Sequence, residues 1–121
     1  VEAVAGRVPA VKFQAAYFEA LGPRGGVVLA RSLDRARAAG LLAILDGKRN
    51  DIGPTAEAYA AAYLAPDDEP WFSDALTINP YLGSDGVAPF VDRARASGKG
   101  LFCLVRTSNR SARELQDLAC E

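Results

Sequence analysis

Leu41-Leu42-Ala43-Ile44-Leu45-Asp46-Gly47-Lys48-Arg49-Asn50-Asp51-Ile52 decides the fold, because here a short apolar run gives way abruptly to alternating charge. A nearly continuous apolar run of this length reads as a parallel strand covered on both faces. The strand is predicted over Leu41 to Lys48. Asp46 and Lys48 stand two apart, so on an extended backbone their side chains point to the same side. Asp51 follows in the loop. Three more runs of the same character, Val8 to Gln14, Ala75 to Asn79 and Leu101 to Thr107, predict three further buried strands.

Helical patterns lie between these strands. Leu29, Leu33 and Ala36 recur at i, i+4, i+7, and Val87, Phe90, Val91 and Ala94 recur at i, i+3, i+4, i+7, each set leaving a polar face outward. Thr55 to Leu64 is alanine-rich and puts Tyr59 and Tyr63 one turn apart, with Gly53 expected at the N-cap and Pro54 at the first helical position. Gly22-Pro23-Arg24-Gly25-Gly26 and Ala65-Pro66-Asp67-Asp68-Glu69-Pro70 read as loops too short to link domains, so residues 1–121 are expected to form a single domain. Strands alternating with helices mean a parallel α/β architecture. About four such units make half of an eight-unit barrel, which needs about 250 residues. A doubly wound sheet suits the length better, yet no strand is followed by G-x-G-x-x-G or G-x-x-x-x-G-K-[ST]. Pattern alone leaves both architectures open.

Composition narrows the function. Half of the 121 residues are apolar and 24% are charged, enough for one core. Fourteen basic and fifteen acidic residues give a net charge of −1, which offers no sustained attraction to a polyanion, so no nucleic-acid partner is expected. No apolar run approaches the roughly 20 residues of a membrane span, and no basic segment precedes an apolar block at the start. The expectation is a cytoplasmic protein without a membrane partner. Cys103 and Cys120 are expected to be buried or incidental thiols, and Trp71, Phe72 and Phe102 to be core. The chain has no histidine, which removes the usual general base, the Ser-His-Asp arrangement and the commonest metal ligand together. Catalysis would fall to carboxylates, lysines and hydroxyls, with no metal. Because the chain starts at Val1 and stops at Glu121 after a helix-like stretch, an internal fragment is expected.

Lys12 has the same placement as Asp46 and Lys48, closing the apolar run Val8-Pro9-Ala10-Val11. In a barrel the C-terminal strand ends face the active site. A strand-end Asp-x-Lys by itself is a solvated pair or one structural ion pair. With Lys12 on a second strand and Asp51 just beyond, the four charges read instead as a functional cluster.

The segment Asp46-Gly47-Lys48-Arg49-Asn50-Asp51-Ile52-Gly53-Pro54-Thr55 resembles the D-x-K-x-x-D-I-x-x-T signature of orotidine 5′-phosphate decarboxylases, nearest to the bacterial branch with the D-A-K-R-G-D-I-G form. Val11-Lys12-Phe13-Gln14 resembles the family's strand carrying its first active-site lysine. Ala75-Leu76-Thr77-Ile78-Asn79-Pro80-Tyr81-Leu82-Gly83 and Leu104-Val105-Arg106-Thr107-Ser108-Asn109 are similar to its next two strand ends. Gly47, Asn50 and Phe13 depart from the branch's usual Ala, Gly and Pro, and Asn109-Arg110-Ser111 replaces an Asn-Pro-Gly turn.

The resemblance implies a (β/α)8 TIM barrel of which this chain covers about strands 2 to 5. It implies cofactor-free decarboxylation of orotidine 5′-phosphate to uridine 5′-phosphate through a carbanion at C6. In that reaction Lys48 would be the general acid, Asp46 would lie against the departing carboxylate and hold Lys48, and Lys12 would contact Asp46 and the ribose. Asp51 and Thr55 would reach the ribose of a neighbouring subunit's site, which makes the unit a two-fold homodimer with a shared active site. Ser108 would hydrogen-bond the pyrimidine edge and Asn79 would give polar support, with Tyr81 packing beside it. The family's phosphate loops follow its seventh and eighth strands, so the 121-residue chain alone is expected to be nearly inactive. Sister enzymes with the D-x-K-x-x-D pattern decarboxylate or cleave sugar phosphates with Mg²⁺, but carry an acidic metal ligand where this chain has Lys12. An ammonium cannot bind Mg²⁺. A non-catalytic barrel fragment is the third reading.

Overall fold

The four expected strands form, as β1 (Ala10–Gln14), β2 (Leu42–Arg49), β3 (Ala75–Ile78) and β4 (Gly100–Cys103). This is a computed structural model, and it describes residues 1–66 and 71–119. The strands make one parallel sheet in the order β1-β2-β3-β4. That order discriminates between the two architectures left open by pattern. A doubly wound sheet reverses its strand order to place helices on both faces, whereas an unreversed series of crossovers of one hand keeps them on one face, as a barrel does.

The connecting helices are α1 (Ala15–Glu19), α2 (Pro23–Ala38), α3 (Gly53–Tyr63) and α4 (Ser84–Ser97). They bury most of the positions that periodicity singled out, although Val87 and Val91 of α4 are only half-buried. Leu29, Leu33 and Ala36 of α2, Ala56, Ala60 and Tyr63 of α3, and Phe90 and Ala94 of α4 join Ala43, Leu45, Leu76 and Ile78 of the sheet in one core. Complete burial of a leucine such as Leu33 contributes about 1.5–3 kcal/mol.

Two expected helix boundaries move, and β1 starts at Ala10, two residues later than expected. Gly22 to Gly26 is not a loop: Gly22 caps α2 and Pro23 opens it, with its ring already set for helix. Gly25 is required there because a Cβ would stand 1.8 Å from the Phe18 carbonyl oxygen, so only a bare Cα lets α1 and α2 approach. Helix α3 begins at Gly53, and Ile52, not Gly53, is its N-cap residue. The expected loop of residues 65–70 lies partly, and Cys120 wholly, outside the described residues.

The larger correction concerns the sheet's second face. Covered strands were expected on both sides, but the helices cover only the side carrying Ala43 and Leu45. The opposite face, with Lys12, Gln14, Leu42, Ile44, Asp46, Thr77 and Phe102, has no layer over it among the described residues. Cross-strand partners share a face, so the registers Gln14↔Asp46 and Thr77↔Phe102 place these residues together. Phe102 is therefore 53% exposed and Leu42 56% exposed, against the expectation of core. Trp71 is also partly exposed, stacked flat on Tyr63 with centroids 5.8 Å apart, while Phe72 alone of the three aromatics is fully buried. Cys103 is exposed on the edge strand β4.

Strand β4 stops four residues short of the predicted end at Thr107. Leu104 still donates its amide to the Ile78 carbonyl at 3.0 Å. Beyond it, Arg106 turns to make a bidentate pair with Asp117, Nε and Nη2 each donating at 2.8 Å, and the Thr107 amide donates to Gln116 Oε1 at 2.7 Å. These side-chain bonds fold the following segment, with its short 3₁₀ turn Arg110–Glu114, back against the strand end.

Candidate active site

The C-terminal ends of β1, β2 and β3 bring four polar side chains around one carboxylate. Asp46 is buried on β2, and its Oδ2 accepts from Lys12 Nζ at 2.6 Å and from Gln14 Nε2 at 3.2 Å. Its Oδ1 accepts from Lys48 Nζ at 2.6 Å and from the Thr77 hydroxyl at 3.0 Å. Four donors thus fill the four lone-pair positions of the carboxylate. Strand register explains the convergence: Gln14 is the direct partner of Asp46 across β1 and β2, and Lys12 lies two residues before it on the same face.

A break in the β2–β3 ladder supplies the rest. Pairing holds at Ile44↔Ala75 and Leu45↔Leu76, then resumes only at Arg49↔Ile78. Asp46, Gly47 and Lys48 therefore stand opposite Thr77 alone, a bulge of the kind that re-aims side chains. Within it Lys48 adopts φ +47°, a left-handed conformation found at no other non-glycine among the described residues and costing about 1–2 kcal/mol. Its displaced amide donates to Thr77 Oγ1 at 2.8 Å.

Burial penalises the ionised Asp46 carboxylate, but the hydrogen bonds from Lys12, Lys48 and Thr77 and the charge of Lys48 outweigh it, and its pKa falls from 3.8 to about 2. At neutral pH the centre therefore holds one fixed anion between two ammonium groups. The lysine side chains remain 53% and 45% exposed, so they present a net positive charge to the open face of the sheet. Such an arrangement can bind an anion, and it can deliver a proton from a lysine whose position is set by the carboxylate behind it.

The other expected site residues stand apart from this centre. Asp51 lies past the end of β2, and its Oδ1 accepts the neighbouring Ile52 amide at 2.8 Å; no bond joins it to the lysines among the described residues. The single-chain array is thus Lys-Asp-Lys, without its fourth member. Thr55 is exposed in the first turn of α3, and Ser108 is exposed after β4. Asn79 follows β3, half-buried, with its Oδ1 accepting the Tyr81 amide at 2.9 Å in a turn. Tyr81 is exposed rather than packed.

Sequence reasoning assigned nothing to Gln14, Thr77 or Arg49. Strand alternation from Lys12 reaches Gln14, and Thr77 is the one hydroxyl inside an apolar strand, so both were signalled. Arg49 carried only its charge. It turns to the helical side, where Glu19 of α1 and the Tyr63 hydroxyl, at 3.2 Å, accept from Nη2 and the rings of Tyr59 and Tyr63 lie 5.4 and 5.2 Å from its guanidinium carbon. Burial opposes its charge, but Glu19 and Tyr63 more than compensate and raise its pKa.

Comparison with known proteins gives the family and the fold to which this sheet belongs. An orotidine 5′-phosphate decarboxylase from Rhodopirellula baltica is 55% identical over 124 residues, covering 100% of this chain and 41% of that protein. The enzyme of the same name from Streptomyces coelicolor is 53% identical over 116 residues, 96% of this chain and 41% of its own. The chain thus spans about two-fifths of the length of these relatives. A structure assigned as orotidine 5′-phosphate decarboxylase from Streptomyces avermitilis superposes with a TM-score of 0.91 at 50% identity, over 97% of this chain and 41% of that one. Leishmania donovani OMP decarboxylase superposes with a TM-score of 0.77 at 39% identity, over 92% and 41%. The four-stranded sheet is accordingly a section of a (β/α)8 barrel, and its open face is the side that turns to the barrel interior. The profile of the orotidine 5′-phosphate decarboxylase / HUMPS family matches residues 1–120, and the chain belongs to that family.

Proposed function

We propose that this chain supplies the lysine–aspartate centre of an enzyme that decarboxylates orotidine 5′-phosphate to uridine 5′-phosphate in pyrimidine synthesis. The observation that carries the reading is the buried Asp46 carboxylate held between Lys12 and Lys48 at adjoining strand ends. Loss of CO₂ from C6 of the pyrimidine leaves a carbanion, and this site answers it with charge already in place. Lys48 stabilises the developing anion and then protonates C6 as general acid. Asp46, ionised at neutral pH, faces the departing carboxylate and orients Lys48. Lys12 neutralises Asp46 from its other oxygen and contacts the ribose. The reaction needs no cofactor.

In this reading Ser108 and Asn79 border the pyrimidine, while Asp51 and Thr55 serve the site of a second subunit in a cytoplasmic homodimer. Residues 1–121 then act as one partial-barrel unit, roughly strands 2 to 5, and the chain alone is nearly inactive because binding energy from the substrate phosphate is missing. No helix among the described residues is long and apolar enough to cross a membrane.

The test is Lys48→Ala in the full-length protein. Turnover of orotidine 5′-phosphate should fall by at least about 10³-fold while uridine 5′-phosphate still binds. Turnover within about tenfold of wild type would remove Lys48 from the role of general acid.

A further inference from the structure

We propose that Thr77 is a positioning residue of the lysine–aspartate centre, its single hydroxyl holding the Lys48 backbone in the left-handed conformation and fixing the Asp46 carboxylate between the two ammonium groups. The proposal rests on the decarboxylase reading of that centre. It starts from the ladder. Where three residues of β2 oppose one of β3, the regular partner of the Lys48 amide is lost. The Thr77 oxygen replaces it, accepting that amide at 2.8 Å.

A hydroxyl has one proton to give. With its oxygen taken by the Lys48 amide, Thr77 directs that proton to Asp46 Oδ1 at 3.0 Å. The bonds form a directed chain, amide to hydroxyl to carboxylate, in which each polarises the next. The same Oδ1 also receives Lys48 Nζ. Thr77 therefore grips both ends of a short loop, the backbone of Lys48 and the carboxylate on which its ammonium rests. Its β-branch restricts χ1, and the residue is buried on β3, so the grip is rigid. Serine would keep the two bonds with more rotational freedom. Valine would keep the shape and lose both.

Lys48 is the sole residue of the centre with a strained backbone, so it is the one whose direction needs an external hold. Reaction at C6 depends on where its ammonium points, and a displacement of about 1 Å can cost about 100-fold in rate. Thr77 bonds to Asp46 Oδ1 and the Lys48 amide, whereas Lys12, which the functional reading gives to the ribose, rests on Asp46 Oδ2. The expected signature is a loss in kcat with little change in KM.

The experiment compares Thr77→Val and Thr77→Ser in the full-length protein. Thr77→Val should lower kcat by about 10- to 100-fold with KM for orotidine 5′-phosphate within about threefold, and Thr77→Ser should stay within about threefold of wild type in both. Hydrogen exchange at the Lys48 amide should quicken at least about tenfold in Thr77→Val and stay slow in Thr77→Ser. A Thr77→Val enzyme with near-normal kcat, or a Thr77→Ser enzyme as impaired as Thr77→Val, would overturn the proposal. If Thr77→Val does not fold, Thr77→Ala against Thr77→Ser isolates the hydroxyl, and equal kcat with equal Lys48 exchange overturns it. A wild-type protein without decarboxylase activity would instead refute the functional reading, and the exchange comparison would still judge Thr77.

Discussion

Asp46 is where sequence, stability and chemistry meet most closely. Its carboxyl titrates at about 2 rather than 3.8, because burial, which opposes the charge, is outweighed by hydrogen bonds from Lys12, Lys48 and Thr77. A pKa depressed by folding means that ionisation favours the native state. The contribution is complete above the unfolded value of 3.8 and is lost as pH falls from there toward 2. With the half-exposed lysines partly screened, it is worth about 1–2 kcal/mol. Urea denaturation at about pH 5 and about pH 2 should therefore show wild type losing about 1–2 kcal/mol more than Asp46→Asn. Identical losses would mean that the carboxylate is not held as described. The spacing of Asp46 and Lys48 made the pair legible from residues alone, although the backbone at Lys48 is a left-handed bulge and not the extended strand that alternation assumes. Lys12 needed the register of a second strand to be placed beside them. The hold of Thr77 on the pair was not legible, because the ladder break that gives it this work follows from how β2 and β3 pair and from no residue type.

At the scale of elements, the close joint between α1 and α2 rests on a missing side chain. An alanine Cβ at Gly25 would press on the Phe18 backbone carbonyl, which cannot move without shifting α1 and with it Glu19, one partner of Arg49. Gly25→Ala should cost about 1–3 kcal/mol, as overpacking does. Gly26→Ala is the control: its Cβ would meet only the Trp71 ring, at 3.2 Å, and the gain in helix propensity of about 1 kcal/mol offsets the adjustment of that partly exposed side chain. Urea midpoints of the two variants that coincide would refute the close approach. Periodicity located α2, α3 and α4 through their buried faces, since burial on a helix repeats every three to four residues. It misread Gly22 to Gly26 as a loop because glycine signals both a turn and a tight contact, and only packing separates the two. Phe102 was misplaced for a related reason. An apolar strand does not say which of its faces the helices cover, and Phe102 lies on the other.

For the molecule as a whole, the placement of Asp51 and Thr55 carries the most consequence. Both follow β2 within nine residues of Asp46, yet neither bonds to the lysine–aspartate centre of its own chain. If they complete the site of a second subunit, the centre of one chain and the loop of the other must come from different polypeptides in a two-fold dimer, each lending what the other lacks. No pattern within one chain can reveal such exchange, and here it comes only from the resemblance of the Asp46 to Thr55 segment. Subunit mixing tests it directly. In the full-length protein, Lys48→Ala and Asp51→Ala homodimers should each be nearly inactive, because every site lacks one residue. After exchange in equal amounts, about half the dimers are mixed, and one of the two sites in each joins an intact Lys48 to an intact Asp51 from the partner. Activity should then recover to about a quarter of wild type. Mixing that leaves the activity at the sum of the two homodimers would place Asp51 in the service of its own chain.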